Sequence, residues 1–461
     1  MNSRFSSPGV RAAIGLILIA IPSLLSPAWA DFQYFNGDDT VFAHSEASPF
    51  WISAQGNYIF QWHPRFYAQY SGPNSFERAS EQAASAVETL YTGLQISPTT
   101  EAVLDFESAA GSGLSDVHGM SGLPNLDAIR NLDGVPYIAR LWYRQVIPLS
   151  DETTTVERGP LSQLTTLAVR RLDIHVGKFD LVDFFDLNSV ANDSHMQFMN
   201  WTVANNGAYD YAADVRGYTY GVIIDYEDRW WGFRFGEALL SKRANGLNVQ
   251  KNLQNAHSEN YELELRPELV KKHATTLRML GYSNFANMGD YHQAIAMFLA
   301  GKTPTPEIDA HPQQVSVKYG VGLNLEQEIT DDLRGFMRAG WNEGQHETWS
   351  YTECDESVAF GGDLRGRLWG RNDDKFGVAF VGNGLSHNHR RYLGLGGLGF
   401  DLGDGALSYG PEKIMECYYN FPLPIHRGFF AALDLQYVNN PGYNRDRGPV
   451  IIPGLRIHVE I

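Results

Sequence analysis

The chain has 461 residues, 36 basic against 53 acidic, for a net charge of −17, and 13% of it is aromatic. That balance excludes a nucleic-acid binder, since no basic run or aromatic–basic ladder relieves it. Beyond the first thirty residues no segment is apolar for long enough to span a bilayer as a helix, so the chain is soluble or crosses a membrane as a closed barrel.

The chain opens on Arg4 and Arg11, an apolar run from Ala12 to Leu25, and Ala28-Trp29-Ala30. A basic start, a short apolar stretch and small residues at the cleavage position predict a secretory signal peptide over 1–30. Its removal, with two arginines and no acids, takes the net charge from −17 to −19. A short N-terminal segment, 31–51, follows, and then a barrel over 52–461.

Period-two alternation carries the rest. Val315, Val317, Tyr319, Val321, Leu323 and Leu325 alternate with Ser316, Lys318, Gly320, Gly322, Asn324 and Glu326. An apolar row beside a polar or tiny row is a strand between two different solvents. Sixteen such segments fall near 52–62, 89–97, 101–109, 137–147, 165–177, 216–227, 230–240, 259–266, 274–284, 315–329, 332–342, 357–368, 375–384, 411–421, 428–438 and 451–461. Their connections alternate short and long. The exception is 148–164, a short-side turn that has grown. An even strand number with tight turns at one rim and long loops at the other is the plan of an all-β, antiparallel outer-membrane barrel.

Strand phase then nominates the inner wall. With Leu141 and Tyr143 on the lipid face, Arg140, Trp142 and Arg144 face inward. The same phase turns Arg171, Asp173 and His175, then Arg334 and Arg338, and then Asp363, Arg365 and Arg367 toward the lumen. Arginine facing lipid at the midplane would cost ~2–4 kcal/mol. The long connection 178–215 is dense in Asp and Asn with interleaved aromatics, including Asp183, Asp186, Asn192, Asp193 and Trp201. Flat apolar faces beside hydrogen-bonding groups suit a sugar ring, so this stretch is the expected constriction loop. The connection 285–314 carries a helical pattern at Met288, Tyr291, Ile295, Phe298 and Leu299, expected to pack at the barrel mouth.

Other motifs have plainer explanations. Gly394 to Gly399 matches G-x-G-x-x-G, but more loop follows it where a βαβ unit needs a helix. His387 and His389 lack metal partners at helical or finger spacing and are expected in a solvated loop. Cys354 and Cys417 do not make a disulfide framework.

Several blocks together resemble the carbohydrate-selective porins of the OprB type. They are Gly177-Lys178-Phe179-Asp180 leading to Asp183-Phe184-Phe185-Asp186, then Ala191-Asn192-Asp193, Gln197 to Trp201, and Asn206 to Tyr211. Asp214 to Gly221, Tyr319 to Glu328, Asn439 to Pro449 and Tyr70 to Ser75 continue the match in order. The resemblance implies a sixteen-stranded barrel, passive diffusion of sugars such as glucose, and an eyelet narrowed by an inward loop with arginines and acids. It implies no cofactor, no metal and no chemical step. The expected partners are small sugars, outer-membrane lipid and lipopolysaccharide, and the barrel-assembly machinery. Monomer or homo-oligomer stays open. The competing readings are a non-selective porin, a barrel enzyme, a plugged receptor and a soluble lectin. The enzyme lacks a nucleophile–His–acid set, and the receptor has only 31–51 for a plug.

Overall fold

A computed structural model describes residues 40–461 apart from 46–47, 131, 311–313 and 352. The expected leader lies outside the described residues.

In chain order the strands are β1 (Phe50–His63), β2 (Glu81–Ser97), β3 (Thr100–Gly111), β4 (Tyr137–Pro148), β5 (Thr153–Thr155), β6 (Thr166–Ala168), β7 (Arg171–Phe179), β8 (Thr219–Glu227) and β9 (Trp231–Ala238). There follow β10 (His257–Leu265), β11 (Thr275–Asn287), β12 (Val315–Glu328), β13 (Leu333–Asn342), β14 (Glu356–Arg365), β15 (Lys375–Gly384), β16 (Glu412–Pro422), β17 (Phe429–Asn439) and β18 (Val450–Glu460). β5 and β6 pair only with each other; the other sixteen described strands close one antiparallel barrel. Closure joins β18 to β1 in the register Gln55↔Glu460 to Gln61↔Gly454. Among the described barrel strands no edge is left unpaired, as hydrocarbon demands.

The inside-out phase follows the expected alternation. Leu141, Tyr143, Val317, Tyr319 and Val321 are exposed on the outer face, while Arg144, Lys318, Asn324, Glu326 and Arg338 are buried within. Exposed Trp62, Trp341 and Tyr437 sit near the long-loop ends of their strands, and Trp231, Trp369 and Phe376 near the short turns. These are the two aromatic girdles of an outer-membrane barrel.

Of the boundaries that differ from the expectation, three change where side chains or connections fall. β2 begins at Glu81, so the first long loop is shorter. β14 ends at Arg365 because Gly366–Trp369 coils into a 3₁₀ turn closed by Gly370 at φ 77°. That takes Arg367 out of the strand. The grown turn is longer than its pattern suggests: β7 starts only at Arg171, and Thr166–Ala168 belongs to the small β5–β6 hairpin.

At the long-loop rim, α2 (Tyr291–Leu299) packs Tyr291, Ala294 and Ile295 against Leu385, Tyr392 and Leu393, so the helical pattern in this loop is a packing element. His389, expected in a solvated loop, is fully buried on a second described helix of this cap, His387–Gly394. Asp355 lies 3.1 Å from its Nδ1, Glu353 lies 3.6 Å from its Nε2, and the Tyr291 ring stacks on it at 4.4 Å. Burial opposes its charge, but the two carboxylates outweigh burial and raise its pKa to about 9. The glycine run after it is a close approach of backbone to side chain: a Cβ on Gly399 would overlap the Glu353 carboxylate. Cys354 and Cys417 are both free thiols.

Candidate functional site in the barrel lumen

The connection after β7 enters the lumen and is tied to the wall all round. Asp180 opens it with a capping box: its side chain accepts from the amide of Val182 at 3.2 Å, and Asp183 accepts from the Asp180 amide at 3.3 Å. Wall carboxylates then take loop amides. Glu262 accepts from Asp186 N at 2.7 Å, Glu326 from Ser189 N at 2.6 Å, and Glu416 from Met199 N at 2.6 Å. Wall arginines take loop carbonyls in return. Arg278 donates to Leu187 at 2.6 Å, and Arg456 to Ser194 and Gln197 at 2.7 Å each. Arg338 pairs with Asp186 at 2.9 Å. Gly340 on β13 leaves room for the Asn206 side chain, whose place a Cβ would take.

A second long connection, after β3, also folds inward. Asp127 accepts from Asn57 at 2.7 Å, the Pro124 carbonyl accepts from Gln61 at 2.8 Å, and Asn125 donates to Ser85 at 2.8 Å. Its Arg130 donates to the Arg216 carbonyl at 2.7 Å and lies 3.3 Å from Glu107.

Between these loops and the wall runs a cavity of about 290 Å³. Its long-loop end is lined by Arg130, Arg140, Arg216, Asp180, Asp183, Asn205 and the rings of Trp201, Tyr211 and Tyr351. Trp201, on the short helix α1 (Trp201–Ala204), lies parallel to Tyr211, with centroids 6.1 Å apart and planes at 3°, and Tyr351 tilts against both at 5.0 and 5.6 Å. Opposite them Arg140 grips Asp183 in a fork, Nε–Oδ2 and Nη2–Oδ1 both at 2.7 Å, the bidentate geometry that makes such pairs strong. Burial, reinforced by the neighbouring Asp183 carboxylate, pushes the Asp180 carboxyl above the usual carboxylate range. Burial works against a charged His195, yet Asp127 at 3.5 Å outweighs it and holds the imidazole above its ordinary value.

Of the residues nominated from sequence, Arg140, Asp183, Asn192 and Asp193 line this cavity. Others are buried in wall pairs or in ties to the loop. Arg144 bridges Glu101 and Asp173 at 2.8 and 2.9 Å, Arg171 joins Asp173 at 2.9 Å, and Asp363 takes Arg334 at 2.9 Å. Arg338 and Asp186 anchor the loop. Trp142 and His175 pack edge-on beneath it, with Phe184 against His175 at 4.8 Å. Two assignments are corrected. Arg365 is the exposed last residue of β14, and Arg367 lies in the turn beyond it, half-exposed and 3.1 Å from Asp332. Neither lines the cavity at the constriction: Arg365 stands at the short-turn end of β14, paired with Lys375, and Arg367 lies past the end of the strand. The residues that sequence reasoning passed over are Arg130, Arg216, Tyr351 and the turn 157–162. All stand in connections, where no periodicity reports direction.

The carbohydrate-selective porin OprB family matches residues 85–461. No curated protein matches at significant sequence similarity. Among solved structures, the high-pH form of Pseudomonas putida OprB aligns with a TM-score of 0.68 at 15% identity, over 90% of this chain and 94% of that one. The low-pH form of the same porin aligns at 0.48 and 11%, over 90% and 93%. Pseudomonas aeruginosa OccK11 (OpdR) aligns at 0.44 and 9%, over 93% and 99%. With a closed barrel of sixteen strands, a loop folded into its lumen and the family's pattern over most of its length, this chain belongs to the OprB family of carbohydrate-selective outer-membrane porins.

Proposed function

We propose that the channel passes glucose-like mono- and small oligosaccharides by passive diffusion, with a weak binding site at the constriction. A sugar ring passes along the cavity side of Trp201, Tyr211 and Tyr351, whose rings pack on one another and border the cavity with apolar edges for its C–H groups. Its hydroxyls meanwhile exchange between the donors of Arg130 and Arg140 and the carboxylates of Asp180 and Asp183. The carrying observation is that this aromatic trio and the Arg140–Asp183 fork line one cavity of about 290 Å³, close to the ~300 Å³ lower end of small-molecule sites. That size suits a single ring better than a bulky polymer.

The family and fold are those of a channel rather than an enzyme, and transport by this route needs no cofactor and no bond-breaking step. Planar-bilayer conductance of the refolded protein, titrated with glucose, maltodextrins and an amino acid, tests the reading. Saturable block by a sugar supports it. Open channels that no sugar blocks would make the protein a general porin.

A further inference from the structure

The connection between β4 and β7, residues 149–170, lies on the short-turn rim, which faces the periplasm in such barrels. It does not hang free. Leu164 and Leu167 pack on Val146 of β4. The amides of Gln163 and Leu164 donate to Glu101 on the inner face of β3, the latter at 3.0 Å. Gln163 is fully buried and covers Gly93 of β2, where a Cβ would meet its amide at 2.5 Å. The turn therefore crosses the inner wall from β4 over β3 and β2.

Arg158 completes the crossing. It donates to the Gln163 side chain at 3.2 Å and, through Nη1, to the carbonyl of Ser45 in the N-terminal segment at 2.6 Å. Its guanidinium also lies 5.5 Å from the ring centroid of Trp51, on the inner face of β1, and the His44 ring packs tilted against that ring at 4.2 Å. The N-terminal segment is itself fixed to the barrel, with Val41 N donating to the Glu460 carbonyl at 2.8 Å. Glu157 to Ser162, His44 and Trp51 form the periplasmic end of the same cavity whose other end holds the aromatic trio.

We propose that residues 149–170 form a second, exit-side constriction of this channel, and that Arg158, by clasping the turn to Trp51 and to the N-terminal segment, sets its bore. The pore is then a chamber between two filters, and solutes leaving it pass between Ser162 and the clasp.

Two variants test this in oriented planar bilayers, each first checked for a folded barrel by heat modifiability. Arg158→Ala is expected to raise single-channel conductance. Ser162→Cys, treated from the periplasmic side with a bulky methanethiosulfonate reagent, is expected to lose current stepwise, while wild type with its own two thiols keeps it. Unchanged current in both variants overturns the constriction. Because ions carry the current, the result is independent of the sugar. A channel indifferent to glucose whose current still falls on Ser162→Cys modification supports the second constriction and overturns only the sugar reading.

Discussion

Arg338, on the inner face of β13, forms an ion pair of 2.9 Å with Asp186, at the turn of the inward loop, and both side chains are only 2% exposed. The same guanidinium donates to the carbonyl of Val203 at 2.9 Å, while Asp186 also accepts from Asn206 N at 3.1 Å and Asn324 at 2.9 Å. Asp186 adopts a left-handed φ of 57° there, an uncommon conformation for a residue with a side chain. The pair is therefore a fastening of the loop and not a contact for solute.

Breaking it leaves a charge buried and unpaired, at about 3–5 kcal/mol. Arg338→Ala is expected to free the loop without unfolding the barrel. Protease cleavage between 180 and 215 and noisier single-channel currents would report it. A quiet, protease-resistant variant would contradict the assignment.

Arg140 has the opposite role, because its fork with Asp183 faces the cavity. Arg140→Ala removes the cation and leaves Asp183 and Asp180 on the cavity wall, with the buried Asp105 of β3, which lies 3.7 Å from Arg140. Reversal potentials are expected to move toward cation preference. The glucose concentration for half block should rise about tenfold, equivalent to about 1.4 kcal/mol. Equal sugar block in variant and wild type would remove Arg140 from the binding site.

Arg367 lies in the turn after β14, where its contact with Asp332 is exposed. Such a pair contributes roughly 1 kcal/mol or less. Arg367→Ala is expected to leave conductance, sugar block and melting temperature close to wild type, and a clear change in conductance would place this side chain in the pore after all.

His389 makes the long-loop cap sensitive to pH. Its pKa in the folded protein, about 9, lies above the ordinary 6.5. The charged imidazole therefore stabilises the cap fully below about 6.5, and that contribution is lost as pH rises through 9. Asp401 acts in the same direction, since burial and Glu353 hold its carboxyl protonated well past the usual range. Hydrogen exchange in 387–394 is expected to quicken between pH 7 and 9.5 beyond the intrinsic base-catalysed rise. In His389→Gln that extra increase should shrink, leaving the part that Asp401 contributes.

The barrel is readable from sequence because each strand separates lipid from water and its side chains must alternate accordingly. Val317, Tyr319 and Val321 declare the outer face by themselves, and Arg144 and Asp173 the inner one, as the expense of a charge in hydrocarbon requires. The constriction is readable only in part. Asp183, Asn192 and Asp193 stood out by composition, and Arg140 by phase. Arg365 stands at the short-turn end of β14, away from the constriction, and Arg367 was misplaced because alternation runs on past the hydrogen-bonded end of that strand.

Sequence alone indicated the sixteen barrel strands, their two faces, the division into short and long connections, and one of the two connections that fold inward. Tertiary structure decided which inner-wall charges meet solute and which hold the loop. Arg144 and Arg338 look like Arg140 in the sequence, yet carboxylates of the two flanking strands bury the first and the inward loop buries the second, while the third faces the cavity. It also decided that Arg130, Tyr351 and Arg158, from separate connections, share one chamber. Periodicity reports the direction of a side chain only where a regular backbone repeats it, and loops follow contacts made across the barrel instead.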